Sequence, residues 1–433
     1  MIVSGKHGSS TGFAHVVTTV GRLMRQSSTA AFAPSHDVLC GRTILQIIPE
    51  LDAGGAERAT IDIAATLAEC GARPLVASRG GRLVGELQAK GGIWLPFPAK
   101  TKQPLAMALN VGRLVRIIRD EAVDIVHVRS RAPAWVARGA TLAAKIPFVT
   151  TYHGSYSGRS ALKLLYNSVM ARGDVVIANS EFTAARIRLL FPFAGAHIRV
   201  VHRGTDFRLF SPAAVDPARV RKLRQQWGIT PDERIVLLAA RLTGWKGQRV
   251  LIEAAKLLVA QGLTDVRFVL AGDDQGRGGY VKELDAQIGK AGLEGVVLRV
   301  GHCLDMPAAF LAAAVVAVPS TEPEAFGRSA VEAQAMGTPV VVSDHGAVPE
   351  TVLAPPQVPA DRRTGWRVTP GDAQALAEAL ANVLALGATA RDSLSLRARA
   401  HVESRFSLQQ MCAETLDVYA SLLAARAGEP PPG

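Results

Sequence analysis

The chain has 433 residues, 48% of them hydrophobic and only 5% aromatic, and carries a net charge of +12. It is too long for one ordinary core and too apolar to stay disordered, so two units rich in alternating strands and helices are expected. Four widely spaced cysteines (Cys40, Cys70, Cys303, Cys412) contain no C-x-x-C pair, which argues against a disulfide framework or a zinc site and fits a reducing cytoplasm.

Residues 1–40 hold three basic residues and one acid, Asp37, among many Ser and Thr. The composition resembles a transit peptide, but a solvated tail or an over-extended start is the preferred reading; either way this flexible extension is expected to stand outside the fold. Residues 41–205 hold 22 basic and 11 acidic residues, whereas 206–433 hold 24 and 25. Positive charge confined to one unit suits an anionic partner such as a membrane surface, a phosphorylated lipid or nucleic acid, with an ordinary solvated basic surface as the plainer alternative.

In chain order, TILQIIP (43–49), PLVAS (74–78), IWLPF (93–97), DIVHV (124–128), PFVTTYH (147–153), DVVIANS (174–180) and IRVVHRG (198–204) read as seven strands separated by helices. The periodicity pauses at 205–220, where an interdomain linker is expected. A second series follows: RIVLLAAR (234–241), VRFVLAG (266–272), GVVLRVG (295–301), AVVAVPS (314–320), TPVVVSD (338–344) and GWRVT (365–369). QRVLIEAAKLLVAQG (248–262) between them has helical spacing, and the apolar run 308–319 is a helix end joined to a strand, too short to span a bilayer. The fold class is therefore α/β, with two Rossmann-like doubly wound domains facing across a cleft. The expected division is 1–40 extension, 41–205 first domain, 206–410 second domain, and 411–433 C-terminal helix and tail.

Open parallel sheets bind ligands beyond the carboxyl ends of their strands, so the loops there carry the candidate residues. After the first strand, Gly54 and Gly55 precede a helix and let backbone N–H groups approach an anion. The turn is neither G-x-G-x-x-G nor a P-loop, so it also fits a purely geometric role. In the second unit Arg241 and Lys246 flank a glycine turn and together can neutralise a diphosphate; basic residues in a solvated loop are the plainer reading.

The stretch EPEAFGRSAVEAQAMG (322–337) places Glu324 in a loop and Glu332 about one turn into a helix. Carboxylates suit hydroxyl donors, and free N–H groups near Phe326, Gly327 and Arg328 suit an anion. Helix capping by Glu324 would explain one of the acids but not both.

This E-x7-E stretch resembles the signature of family 4 retaining glycosyltransferases. So do GGAER, HGSYS, ANSEFTAARI, RGTDFRLF and AGDDQGRGGY, which occur in the family's order over residues 43–420. The resemblance implies the two-Rossmann-domain (GT-B) fold and a nucleotide diphosphate sugar, UDP- or GDP-linked, as donor. It places Glu332 on the ribose and Glu324 beside the donor sugar. Phe326, Gly327, Arg328, Gly54, Gly55, Arg241 and Lys246 fall on sugar and diphosphate. His153 falls near the reacting carbon, and His127 and Arg129 on the acceptor side, although a lone histidine is more often structural. No D-x-D occurs and the resembled fold works without a metal or other cofactor, so none is expected.

The implied activity is hexosyl transfer with retention to a glycolipid or saccharide acceptor, in lipopolysaccharide or lipid-linked cell-envelope polysaccharide synthesis. The basic segments 111–120 and 184–191 suit peripheral contact with the inner face of the cytoplasmic membrane. A nucleotide-sugar epimerase of the same fold and a non-catalytic sugar- or nucleic-acid-binding protein are the alternatives. Sparse aromatic residues argue against nucleic acid.

Overall fold

The computed structural model describes residues 34–52, 54–154 and 160–428. Two parallel sheets organise the chain. The first joins β1 (Thr43–Ile47), β2 (Arg73–Ser78), β3 (Ile93–Pro96), β4 (Ile125–Val128), β5 (Phe148–Tyr152), β6 (Val175–Ala178) and β7 (Ile198–Val200). Its spatial order is β3-β2-β1-β4-β5-β6-β7. The second joins β8 (Arg234–Ala239), β9 (Val266–Ala271), β10 (Val297–Gly301), β11 (Val315–Val318), β12 (Val340–Ser343) and β13 (Trp366–Val368), in the order β10-β9-β8-β11-β12-β13. All thirteen strands expected from the sequence form.

Each sheet is buried on both faces, so its strands are short Val, Ile and Leu runs whose successive residues serve opposite cores. On β8, Ile235 and Leu237 enter one core while Val236 and Leu238 enter the other. The strand order reverses between β1 and β4 and again between β8 and β11. These reversals open a crevice at the carboxyl ends, and the loops carrying Gly54–Gly55, Arg129, Arg241 and Glu324 all leave from there.

Two expectations are corrected. The described end of the 1–40 extension, residues 34–39, forms a 3-10 turn whose Leu39 is fully buried in the core shared with the C-terminal helix; residues 1–33 lie outside the described residues. Most of 205–220 is not linker: Phe210 and Val215 sit in the second domain's core, and a helix spans Pro217–Gln226 behind the N-cap Asp216. Missing periodicity reflected proline and capping chemistry, not an unstructured tether. The expected C-terminal helix forms over Leu408–Ala427 and packs on the first domain. Met411, Leu416, Tyr419 and Leu423 complete a core with Ile44, Ile63, Leu67 and Ile125 of the first domain.

The chain therefore crosses between domains twice, and the crossings are bonded to each other. Thr205 N donates to Phe406 C=O at 2.9 Å, and Leu408 N donates to Thr205 C=O at 3.0 Å.

His127 is the first correction to the site. It is fully buried on β4, with Nδ1 2.5 Å from the Tyr419 hydroxyl and Nε2 2.7 Å from Thr151 Oγ1. Burial holds its pKa well below the ordinary value, so the ring is neutral and both nitrogens are engaged. It anchors the C-terminal helix instead of reaching an acceptor. Tyr419→Phe keeps the packing but strands His127 Nδ1, and should cost about 1–3 kcal/mol; a thermal melt equal to wild type would remove this anchoring role.

Candidate active site

A cavity of about 580 Å³ lies between the two sets of strand ends. Its walls bring together His153 and Gly154 after β5, Asn179 after β6, Arg203 after β7, Arg241, Trp245 and Lys246 after β8, and the 322–329 stretch after β11. Its charged side chains are Arg186, Arg203, Arg241, Lys246 and Arg328 against Glu322 and Glu324. That excess of cations suits a ligand carrying two or more negative charges.

Gly327 adopts φ +86°, a left-handed conformation that disfavours a side chain, and starts the helix Arg328–Ala335. The N–H groups of Phe326, Gly327 and Arg328 donate to no acceptor among the described residues. Phe326 turns its ring away from the cavity, 5.3 Å from Phe406 and edge-on at 87°. Ser329 Oγ donates to Ala239 C=O at 2.8 Å, tying this helix to the end of β8.

The two glutamates are separated by their partners. Glu324 Oε1 accepts from Lys246 Nζ at 2.5 Å and from Ser320 Oγ at 2.6 Å. Lys246, expected on a diphosphate, is thus held by Glu324 and stacked 4.2 Å over the Trp245 ring. Glu332 is 6% exposed, and its Oε1 accepts from Arg328 Nε at 2.7 Å. Burial raises its pKa against the pull of Arg328. Arg328 therefore serves Glu332, whereas the Arg241 side chain is exposed and, among the described residues, hydrogen-bonds only to Gln275 Oε1, at 3.4 Å. Asp273 and Asp274 turn their carboxylates onto the N–H groups of Gln275 and Gly276, shaping that loop.

On the opposite wall His153 lies between two guanidinium groups. Burial first, then Arg203 and Arg129, keep its pKa well below the ordinary value, so it is a neutral ring at the cavity edge. Arg129 stands behind it, with Nη1 3.4 Å from His153 Nε2 and Nη2 donating to Gln46 Oε1 at 2.7 Å. Arg129 is 5% exposed, so it positions His153 and is closed off from an acceptor. Gly54 is the N-cap of the helix Gly55–Glu69 and has no side chain to cap it. The remainder of the HGSYS stretch, 155–157, lies outside the described residues.

Sequence reasoning missed the contacts that close the cleft. Glu350 of the second domain accepts the N–H groups of Glu181 and Phe182, at 2.9 and 2.8 Å, at the start of the first domain's helix Glu181–Leu190. It also lies 3.1 Å from His202 Nε2. Ser180 Oγ donates to Ala325 C=O at 2.7 Å, so the loop bearing Glu324 is pinned across the cleft. Ser180 and Glu181 lay inside the quoted ANSEFT stretch, but nothing local announces partners 145 and 169 positions away.

The chain matches the family described as Glycosyltransferase Family 4 over residues 53–209 and that described as Glycosyl transferases group 1 over 219–401. A glycosyltransferase from Rickettsia africae superposes with a TM-score of 0.80 at 32% identity, covering 88% of this chain and 99% of that one. Anabaena HepE, solved with UDP and glucose, superposes at 0.74 with 29% identity over 87% and 99% of the two chains. D-inositol 3-phosphate glycosyltransferase of Xylanimonas cellulosilytica is 34% identical over 262 residues, 60% of this chain and 59% of that protein. The chain thus matches less than two thirds of that curated relative's length. Fold and site define a two-Rossmann-domain protein of the GT-B class. The chain belongs to the family 4 glycosyltransferases.

Glu350 sets a testable clasp. Burial would raise its carboxyl, but His202 and the N–H groups of Phe182 and Glu181 outweigh this and hold its pKa below the ordinary 4.5. The stabilisation is therefore full above pH 4.5 and is lost as pH falls through the lower folded value. Glu350→Gln should cost about 1–3 kcal/mol at neutral pH, and the deficit should shrink on acidification. Melting curves across pH with a constant deficit would show that the carboxylate charge is not what holds the cleft.

Proposed function

We propose that the protein transfers a hexosyl group from a UDP- or GDP-linked sugar to an acceptor hydroxyl, with retention and without a bound metal or cofactor. The observation that carries this reading is the cavity that gathers the Glu324 loop, the start of the helix bearing Glu332, an excess of cations and His153 at the facing sheet ends. It supports Glu332 on the ribose, Glu324 on the donor sugar and the Phe326–Arg328 N–H groups with Arg241 and Lys246 on the diphosphate. Ligand hydroxyls would compete for Glu324, releasing Lys246 toward the phosphates 

The demanding step is departure of a diphosphate from an oxocarbenium-like carbon. Oriented cations and N–H groups stabilise the developing charge, each well-placed donor contributing about 3–4 kcal/mol. The departing phosphate oxygen then takes the acceptor proton on the same face, which retains the anomeric configuration. A double displacement needs a free carboxylate nucleophile. In this reading Glu324 is engaged by Lys246 and Ser320 before the donor binds and by the donor sugar's hydroxyls afterwards.

For the acceptor we favour a lipopolysaccharide or other lipid-linked saccharide at the inner membrane face. On the first domain's helix Pro104–Asp120, Leu105 and Leu109 are 76% and 61% exposed, and Arg113, Arg116 and Arg119 follow them on the exposed side. Leucines beside arginines suit an anionic lipid surface. Among the described residues no single helix is long and apolar enough to cross a membrane.

Two experiments test the reading. Transfer from a UDP- or GDP-sugar to membrane lipid extracts in EDTA should give a product with the donor's anomeric configuration by NMR, and Glu332→Ala should weaken nucleotide binding about 10- to 100-fold. Inversion at the anomeric carbon, or unchanged affinity, would reject the assignment. Replacing Arg113, Arg116 and Arg119 with Glu should lower partition onto anionic liposomes at least about 100-fold, at about 1 kcal/mol for each lost charge. Undiminished partition would return this face to ordinary solvated surface.

A further inference from the structure

Arg203, three residues beyond β7, turns its guanidinium into the cavity beside the start of the helix Gly55–Glu69. A Cβ on Gly55 would lie 2.6 Å from Arg203 Nη2, so a side chain at this position would displace the guanidinium. None of the Arg203 nitrogens makes a hydrogen bond or ion pair with a described residue, and Nη2 is buried without a partner.

The two carboxylates whose charge reaches Arg203, Glu332 and Glu57, are turned elsewhere. Glu332 is held by Arg328, and Glu57 folds back over Gly54. Burial first, and then Arg328, lower the Arg203 pKa to about 10, so it remains protonated at neutral pH. A guanidinium with a buried nitrogen that no carboxylate bonds is stabilised when a ligand supplies the acceptor. No side chain hydrogen-bonds to the start of the helix beside it, although the Glu57 carboxylate lies over Gly54, and N–H groups there also favour an anion.

We propose that Arg203, with the uncapped start of the helix Gly55–Glu69, binds a phosphate oxygen of a substrate in the cavity. This rests on the nucleotide-sugar reading and adds to it a phosphate contact from the first domain, facing the cations of the second. A guanidinium fork suits two phosphate oxygens at once, and an anion held there would draw the domains together through Arg203 and Arg328. The phosphate belongs either to the donor diphosphate or to an anionic acceptor, and the chemistry is the same.

Calorimetric titration of wild type, Arg203→Lys and Arg203→Gln with UDP, GDP, uridine, guanosine and inorganic phosphate separates these. With the donor as source, Arg203→Gln weakens the nucleoside diphosphate about 10- to 100-fold, leaves the nucleoside unchanged, and Arg203→Lys falls between. With the acceptor as source, nucleotide affinity is unchanged, but inorganic phosphate binds the nucleotide-saturated wild type and not Arg203→Gln. Unchanged affinity for both ligands overturns the proposal, as does a parallel loss of nucleoside binding. The melting temperature of Arg203→Gln should equal or exceed that of wild type because an unpaired buried charge is removed; a large drop would assign Arg203 a structural role and also overturn it. Wild type that binds neither UDP nor GDP defeats the nucleotide-sugar reading itself, while the inorganic phosphate arm still decides Arg203.

Discussion

The cleft depends on how the two sheets are held face to face. Two chain crossings, bonded to each other through Thr205, Phe406 and Leu408, fix where the domains meet. The second crossing continues into the helix Leu408–Ala427, whose burial against the first sheet binds the end of the chain to its beginning. Glu350 and Ser180 add contacts on the rim of the cleft itself.

Within that frame the site is organised by charge. Five cationic side chains line the cavity with two acids, and of these cations Arg203 is the one with a buried nitrogen that has no partner among the described residues. Low local dielectric makes such a surplus unfavourable when empty and strongly attractive to an anion. Lys246 and Arg328 are occupied by Glu324 and Glu332. In the proposed reaction the glutamates exchange these cations for sugar and ribose hydroxyls, so donor binding would free positive charge at the place where the leaving diphosphate develops its own. The same exchange accounts for carboxylates in a site meant for an anion: they keep the cations positioned until the donor arrives.

The strands were legible because a sheet covered on both faces demands short, nearly continuous apolar runs, as at RIVLLA and VVVS. The glutamate stretch was legible because strand, loop, glycine and helix follow in one local segment. What escaped depends on contacts distant in sequence. His127 looks like a strand-end functional group, and only the arrival of Tyr419 makes it a buried anchor. Arg203 stood within the recognised IRVVHRG strand, but its lack of a partner is a property of the folded neighbourhood. The helix Pro217–Gln226 was hidden because its polar surface and proline start look like a linker.

The central claim is that this cavity holds a nucleoside diphosphate sugar. Its most direct measurement is titration of wild type with UDP-glucose, GDP-mannose and ADP-glucose in EDTA at increasing ionic strength. The account predicts saturable binding of at least one donor that weakens as salt screens the cavity's cations. Absence of binding by all three, or an affinity indifferent to salt, would contradict it.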